Sequence, residues 1–290
     1  MRIRNGKVLA CMALLVSLLF GESVQRFEVR GLLLKVDVKN QSILISQEAI
    51  PGYMDAMVMS YHLPSGRHAA SLKPGSKIEF TLIVAVEQAS VSNIRELPYD
   101  SVEREPLQAK SLAMLDATLP SAELQPQVRI GQQVPDFSLI DQTGSKVSLS
   151  QFAGKVVGVT FIYTRCPLPQ YCFRLSNNFG RLQKKFQSRM GIDLVLLSIT
   201  FDPINDTPSV LARYGQTWQA DTKGWHLLTG PPESVKRVGL LLGSHFWPDE
   251  GVLTHSLHTF IIDREGRLAA DIEGNQYTAD QLAELVQAYF

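Results

Sequence analysis

Between residues 26 and 97 apolar and polar positions alternate in short runs broken by turn-forming residues. The runs 27–38, 42–45, 57–63, 77–86 and 90–97 read as five strands, with Asn40-Gln41 marking the first turn. Five short strands in about 70 residues point to a small closed or half-closed barrel, since closure removes the exposed edges of a small β-domain. Residues 98–128 lose this alternation. They carry charges, Pro106, Pro120 and Pro126, and one helical stretch at 109–115, which reads as a linker with some structure of its own. From 128 onward the period changes again. The runs 156–164 and 194–201 are nearly continuous in apolar residues, as expected of central strands covered on both faces. Between them, 173–190 has helical spacing with a basic outer face. Thr207-Pro208 supplies a hydroxyl cap followed by a proline at the first helical position. A hairpin is expected over 258–263 and 268–272, turning at Arg264-Glu265-Gly266. A last helix opens with Thr278 and Gln281 in capping-box spacing and lines up Leu282, Leu285, Val286 and Tyr289 on one face. The expected architecture is therefore an α/β C-terminal domain (129–290), a central mixed sheet flanked by helices, preceded by a linker (99–128) and a small all-β, OB-like barrel (24–98).

Composition narrows the partners. Among 290 residues, 28 lysines and arginines balance 28 aspartates and glutamates, so no net field draws in nucleic acid. Arg2, Arg4 and Lys7 precede an apolar run from Val8 to Phe20, then Gly21-Glu22-Ser23: the charged, apolar, small-residue order of a secretory signal peptide over 1–23. The run is short for a span of about 20 residues, which favours cleavage. An uncleaved anchor is the alternative and would be the chain's only membrane contact. Either way the protein is expected to be exported, into the periplasm or facing the outer side of the inner membrane.

Export makes the cysteines informative. Cys11 lies inside the signal, so Cys166 and Cys172 are the pair expected in the mature chain. In an oxidising compartment such a pair is a structural disulfide, a redox couple or a pair of soft metal ligands. Five residues separate them. On one continuous helix that spacing would set the thiols on different faces. Pro167 and Pro169 argue against such a helix, because an interior proline costs about 3 kcal/mol. Residues 166–169 are expected to form a stiff loop that folds back, with the helix starting near Cys172.

The helix–strand–hairpin–helix order is thioredoxin-like, and Gly131-Gln132-Gln133-Val134-Pro135-Asp136-Phe137 through Gly154-Lys155 resembles the opening of that superfamily. F-I-Y-T-R-C-P-L-P-Q-Y-C, S-I-T-F-D-P-I-N-D-T-P and T-H-S-L-H-T-F-I-I-D-R-E-G resemble, in that order, the motifs of the Sco/SenC family of copper chaperones for cytochrome c oxidase. The resemblance implies copper, Cu(I) or Cu(II), held by Cys166, Cys172 and His255. Two thiolates and an imidazole suit three-coordinate Cu(I), whereas Zn(II) usually takes a fourth ligand. The family's common motif has three residues between its cysteines, against five here, and Phe173 stands where a proline often follows the second. His258 is expected to be structural, or to complete a Cys2His2 zinc site if its segment loops. Asp202 ends an apolar strand on the side where α/β sites form, either assisting the thiols or capping the next turn. Asp206 is expected to be a turn residue.

Q-E-A-I-P-G-Y-M-D-A-M-V-M-S-Y resembles the periplasmic CusF-like copper-binding module. Met57 and Met59 match its paired methionines, and at i and i+2 on a strand they share a face. Gln47 stands in place of that family's histidine ligand, residues 26–97 contain no tryptophan, and Met54 is a substitute candidate. The alternative is that these methionines fill the barrel interior.

The leading expectation is a metallochaperone rather than an enzyme, acting on the copper-bearing subunit of cytochrome c oxidase or another cuproprotein, with a thiol reductant to keep the pair reduced. The alternative is a thiol–disulfide oxidoreductase in which Cys166 and Cys172 are catalytic. Against it, the chain has no proline between Pro248 and its C-terminus, where that class places its cis-proline. The remaining alternative is a binding module with inert Cys and Met.

Overall fold

A computed structural model describes residues 24–63, 69–85, 89–99, 128–167, 169–244, 246–249 and 252–290. The signal segment expected over 1–23 and the helical stretch expected at 109–115 lie outside them. Strand β1 (Gln25–Asp37) faces two interiors at once. Val29 and Leu33 point into the N-terminal core, while Leu32 and Leu34, one residue out of phase, are fully buried in the core of the C-terminal half. Strand β1 pairs antiparallel with β2 (Ser42–Gln47) and β4 (Lys77–Val84). Strand β3 (Met57–His62) adds to β2, and β5 (Ala89–Leu97) to β4. The order is β3-β2-β1-β4-β5. No ladder joins β3 to β5 among the described residues.

The C-terminal half begins with a hairpin, β6 (Ser138–Asp141) and β7 (Lys146–Ser148). Strand β8 (Val156–Ile162) is buried at every position, as is β9 (Leu194–Thr200), with helix α1 (Arg174–Lys185) between them. There follow α2 (Pro208–Thr217), β10 (Trp225–Thr229), α3 (Pro232–Leu242), and a ribbon of β11 (Phe246–Asp249) and β12 (Val252–His255). Strands β13 (His258–Ile262) and β14 (Leu268–Glu273) and helix α4 (Ala279–Gln287) complete it. The sheet runs β14-β13-β8-β9-β10-β6-β7. Strands β8 and β9 are parallel, and β13 runs antiparallel to β8. That four-strand core, with α1 crossing from β8 to β9 and α4 after the hairpin, is the thioredoxin-like arrangement.

Local signals were uneven guides. The capping box forms: the Gln281 N–H donates to Thr278 Oγ1 at 3.1 Å, and the Thr278 N–H donates to Gln281 Oε1 at 3.0 Å. The Thr207 cap does not. Its hydroxyl makes no capping bond and lies 3.1 Å from Ser209 Oγ, so Pro208 alone carries the helix-start signal. Helix α1 is shorter than its apolar pattern, giving way after Lys185 to a 3-10 turn at Gln187–Arg189. Strands β6, β7 and β10, helix α3 and the β11–β12 ribbon were not expected from the sequence.

The two halves touch directly. Tyr289 Oη lies 3.1 Å from the carbonyls of both Leu34 and Ala269, bridging β1 to the hairpin. Lys35 Nζ donates to the Ala288 carbonyl at 3.2 Å and sits 5.2 Å from the Tyr289 ring centroid. Gly75 lies against β14 so closely that a Cβ there would stand 2.3 Å from the Asp271 carbonyl oxygen. Full burial of a leucine is worth about 1.5–3 kcal/mol, so Leu32 and Leu34 alone make this docking energetically substantial.

Candidate metal centre

Strand β8 delivers the chain to the C-terminal edge of the central sheet, where α/β folds place their sites. The strand ends at Ile162, and Thr164-Arg165 turn the chain outward. Pro169–Phe173 then form one π-helical turn before α1. A π turn accommodates an extra residue relative to an α turn. It rotates Cys172 into the core, where it is 1% exposed, while Cys166 is partly buried at the rim. The expected helix start near Cys172 is therefore a π turn running into α1 at Arg174.

The thiols meet despite the five-residue gap. No disulfide joins them, and Cys172 is held protonated first by its hydrogen bond to Cys166 and then by burial, which push its thiol well above the ordinary value. Tyr214 stands close enough to feel both cysteines. Burial, reinforced by their charge and opposed by a 2.8 Å hydrogen bond with Ser176, pushes its phenol up to about 12. Phe173 is 56% exposed and packs edge-on to Trp218 at 4.6 Å.

Three ties hold the loop. The Asp206 carboxylate is fully buried and accepts from the Thr164 N–H (3.0 Å), the Thr164 hydroxyl (2.5 Å) and the Thr200 hydroxyl (2.5 Å). Asp206 is thus the anchor of the cysteine loop, not the simple turn residue expected. Asp202 accepts from Arg165 Nη2 (2.5 Å) and Nε (3.2 Å) and from Asn205 Nδ2 (2.8 Å). It therefore acts on the residue preceding Cys166 and on its own turn. Asn275, 3% exposed, donates to the Gln170 carbonyl between the cysteines at 2.5 Å. Sequence reasoning passed over Arg165, Tyr214 and Asn275. The Asp-x3-Asp spacing straight after an apolar strand was the available signal for Asp206; nothing local marks Asn275.

His255 ends β12, opposite Phe246 on β11, and its side chain lies outside the described residues. His258 is committed elsewhere. Its Nδ1–H donates to Asp271 Oδ1 at 2.8 Å and its ring stacks on Phe260 at 5.3 Å. The ring is thus anchored to the β13–β14 hairpin. Burial alone would depress the His258 imidazolium, but the charge and hydrogen bond of Asp271, with Glu273, hold it above the ordinary value of 6.5. The folded state therefore binds this proton more tightly than the unfolded chain. The resulting stabilisation is complete below about pH 6.5 and fades as pH rises through the elevated folded value. Melting temperatures measured across pH 5–9 are expected to show wild type losing its advantage over Asp271→Asn as pH rises; an advantage constant with pH would refute the assignment.

In the barrel, Met57 is exposed at 43%, while Met54 and Met59 are half-buried against the N-terminal core. Gln47 is buried beneath them. Among the described residues no group of three or more His, Cys, Asp or Glu is arranged to hold a metal. The chemistry present is soft: two adjacent thiols in one half and three thioethers in the other. That donor set fits Cu(I) rather than hard cations.

A family model described as SCO1/SenC matches residues 127–290, and one described as copper binding periplasmic protein CusF matches residues 26–96. A putative copper-binding protein of Stutzerimonas stutzeri is 31% identical over 146 residues, 48% of this chain and 68% of that relative. The SCO1 protein homolog of Bacillus subtilis is 26% identical over 162 residues, 51% of this chain and 81% of the relative. The mitochondrial protein SCO1 of Saccharomyces cerevisiae is 29% identical over 164 residues, covering 53% of this chain and 54% of its own length. The match thus spans about half of that relative. The crystal structure of yeast Sco1 with copper bound is 26% identical, with a TM-score of 0.46 over 55% of this chain and 91% of that one.

Proposed function

This chain belongs to the SCO1/SenC family, and from that premise we propose that it is an exported copper-delivery protein for the assembly of cytochrome c oxidase. The observation that carries the proposal is the meeting of Cys166 and Cys172 at the C-terminal edge of the sheet, one at the rim and one in the core. Copper is the cargo. The two thiolates supply the soft donors, and His255 closes the set from the β12 end. Asp206, Asp202 with Arg165, and Asn275 fix the loop, so little ordering remains when the ion arrives. The rim position of Cys166 leaves one sulfur open to exchange with the thiols of a receiving copper site. The client is the copper-bearing subunit of the oxidase. Export rests on residues 1–23; among the described residues no helix is long and apolar enough to cross a membrane.

The test is titration of the reduced protein with Cu(I), with X-ray absorption counting ligands at one equivalent. Two sulfurs and one nitrogen are expected, with the nitrogen lost in His255→Ala. Unchanged affinity and an unchanged ligand count in that variant would remove His255 from the site. The same adjacency favours one second reading, thiol–disulfide exchange, because contacting thiols can close to a disulfide by giving two electrons and two protons to a partner disulfide. Sustained insulin reduction by a copper-free sample would favour it.

A further inference from the structure

Resting on the copper-delivery reading, we propose that the outer face of helix α1, with the exposed side chains of Phe173 and Ile204, is a docking surface for an acidic protein partner. From residue 165 to residue 192 every charged side chain is a cation: Arg165, Arg174, Arg181, Lys184, Lys185 and Arg189. The whole chain, by contrast, balances 28 basic against 28 acidic residues. Arg165 is matched by Asp202. Helix α1 buries Leu175, Phe179 and Leu182 and turns Arg174, Arg181, Lys184 and Lys185 to solvent. Steps of seven, three and four residues keep these cations on one face, a stripe about 18 Å long. The helix dipole favours Lys184 and Lys185 in the last turn but gives no reason for Arg174 or Arg181. Like charges three and four residues apart weaken a helix. The single acid close by is Asp280 on α4, 3.5 Å from Lys185 and 3.9 Å from Arg181 with its side chain 68% exposed. One screened carboxylate leaves the stripe strongly positive.

The stripe begins at the thiols. Phe173 follows Cys172 directly and is 56% exposed, backed edge-on by Trp218 at 4.6 Å, so it is a held ring rather than a loose one. Ile204, 78% exposed, sits on the turn whose Asp202 holds Arg165 and whose Asp206 holds Thr164. Both apolar side chains therefore border the loop that carries Cys166. In the described C-terminal half the other large apolar side chain left this exposed is Ile192, just before β9 at the opposite edge of the sheet. A protein that takes copper from Cys166 must cover this rim, meeting Phe173 and Ile204 first and the α1 cations next. Its complement is an apolar spot bordered by carboxylates beside the receiving site. The apolar anchors set how long the complex lasts, and the charges set how fast it forms.

The experiment mixes the full chain, loaded with one equivalent of Cu(I), with the copper-free copper-bearing subunit of the oxidase from the same source. Transfer is timed between about 0.01 and 1 M salt, over which the screening length falls from about 30 Å to about 3 Å. Wild type is expected to slow about tenfold or more as salt rises. The double variant Arg174→Glu, Lys184→Glu is expected to be about tenfold slower at low salt and to lose most of the salt dependence. Its Cu(I) affinity, measured against a chelator, stays at the wild-type value, because neither side chain is among the ties that hold the cysteine loop. Ile204→Ser is expected to shorten the lifetime of the copper-free complex about fivefold with the association rate kept. Phosphatidylglycerol vesicles are the control. Charge-dependent vesicle binding with wild-type transfer by the double variant would assign the stripe to a membrane and overturn the docking surface. Wild-type transfer indifferent to salt and to charge reversal would overturn it too. Absence of transfer by wild type at every salt concentration would remove the delivery reading itself, and the docking surface with it.

Discussion

Cys172→Ser is expected to abolish tight Cu(I) binding at the thioredoxin-like half while leaving the protein folded. A serine hydroxyl is a hard, reluctantly ionised donor, so the substitution removes a ligand instead of weakening it. The loss should exceed the roughly 10–100-fold that follows removal of an outer-shell partner. Burial makes the test informative. Cys172 sits in the core beside Tyr214 and behaves there as a small apolar residue. Burying a hydroxyl in its place costs about 1–3 kcal/mol, a loss that a domain of this size survives. Cys166→Ser, at the rim, is expected to lose copper to the same degree with a smaller change in melting temperature. Competition titration against a Cu(I) chelator, with Met57→Leu and Met59→Leu in the background to silence the barrel, measures the first quantity; calorimetry measures the second. Retained tight binding in either serine variant would dismantle the two-thiolate site.

The frame of this site was legible in the sequence because its determinants are short-range. The continuous apolar runs of β8 and β9, the prolines beside the cysteines and the capping box at Thr278 each act within a few residues. Pro167 and Pro169 were enough to exclude a continuous helix across the pair. They were not enough to show that a π turn would rotate Cys172 inward, since that depends on the core waiting for it. The short edge strands β6 and β7 were illegible because three or four residues carry too little periodicity. The docking of the two halves was hidden for another reason. Along β1, Leu32, Leu33 and Leu34 read as one apolar run, and only the tertiary structure assigns alternate residues to different cores. Asn275 reaches Gln170 across 105 positions, a tie that no local pattern announces.

Asp206→Ala is expected to be the most destabilising polar substitution around the cysteine loop, and to loosen copper binding with it. The carboxylate accepts from three donors: the Thr164 N–H, the Thr164 hydroxyl and the Thr200 hydroxyl. It is fully buried and Thr200 with it, so water cannot readily replace it. Leaving a buried donor unpaired costs about 1–3 kcal/mol. Only the Thr200 donor is fully buried while both Thr164 donors are partly so, which sets the total near the low end, about 3 kcal/mol. For a chain of this size that lowers the melting temperature by roughly 6–12 °C. Asp206→Asn keeps the volume but turns one acceptor into a donor facing donors, so an intermediate loss is expected. Asp202→Asn is the contrast. Its partner Arg165 has a side chain 62% exposed, and an ion pair so open to water contributes little to stability. Both aspartates hold the same loop, one residue apart at Thr164 and Arg165, yet burial separates their energies. Because Thr164 lies two residues before Cys166, its release in Asp206→Ala lets the first thiol drift from the second, and copper affinity is expected to fall about 10–100-fold. Melting curves and chelator competition on the three variants decide the matter. A melting temperature for Asp206→Ala within about 2 °C of wild type, or a larger drop for Asp202→Asn, would show that the loop is held by something other than this carboxylate.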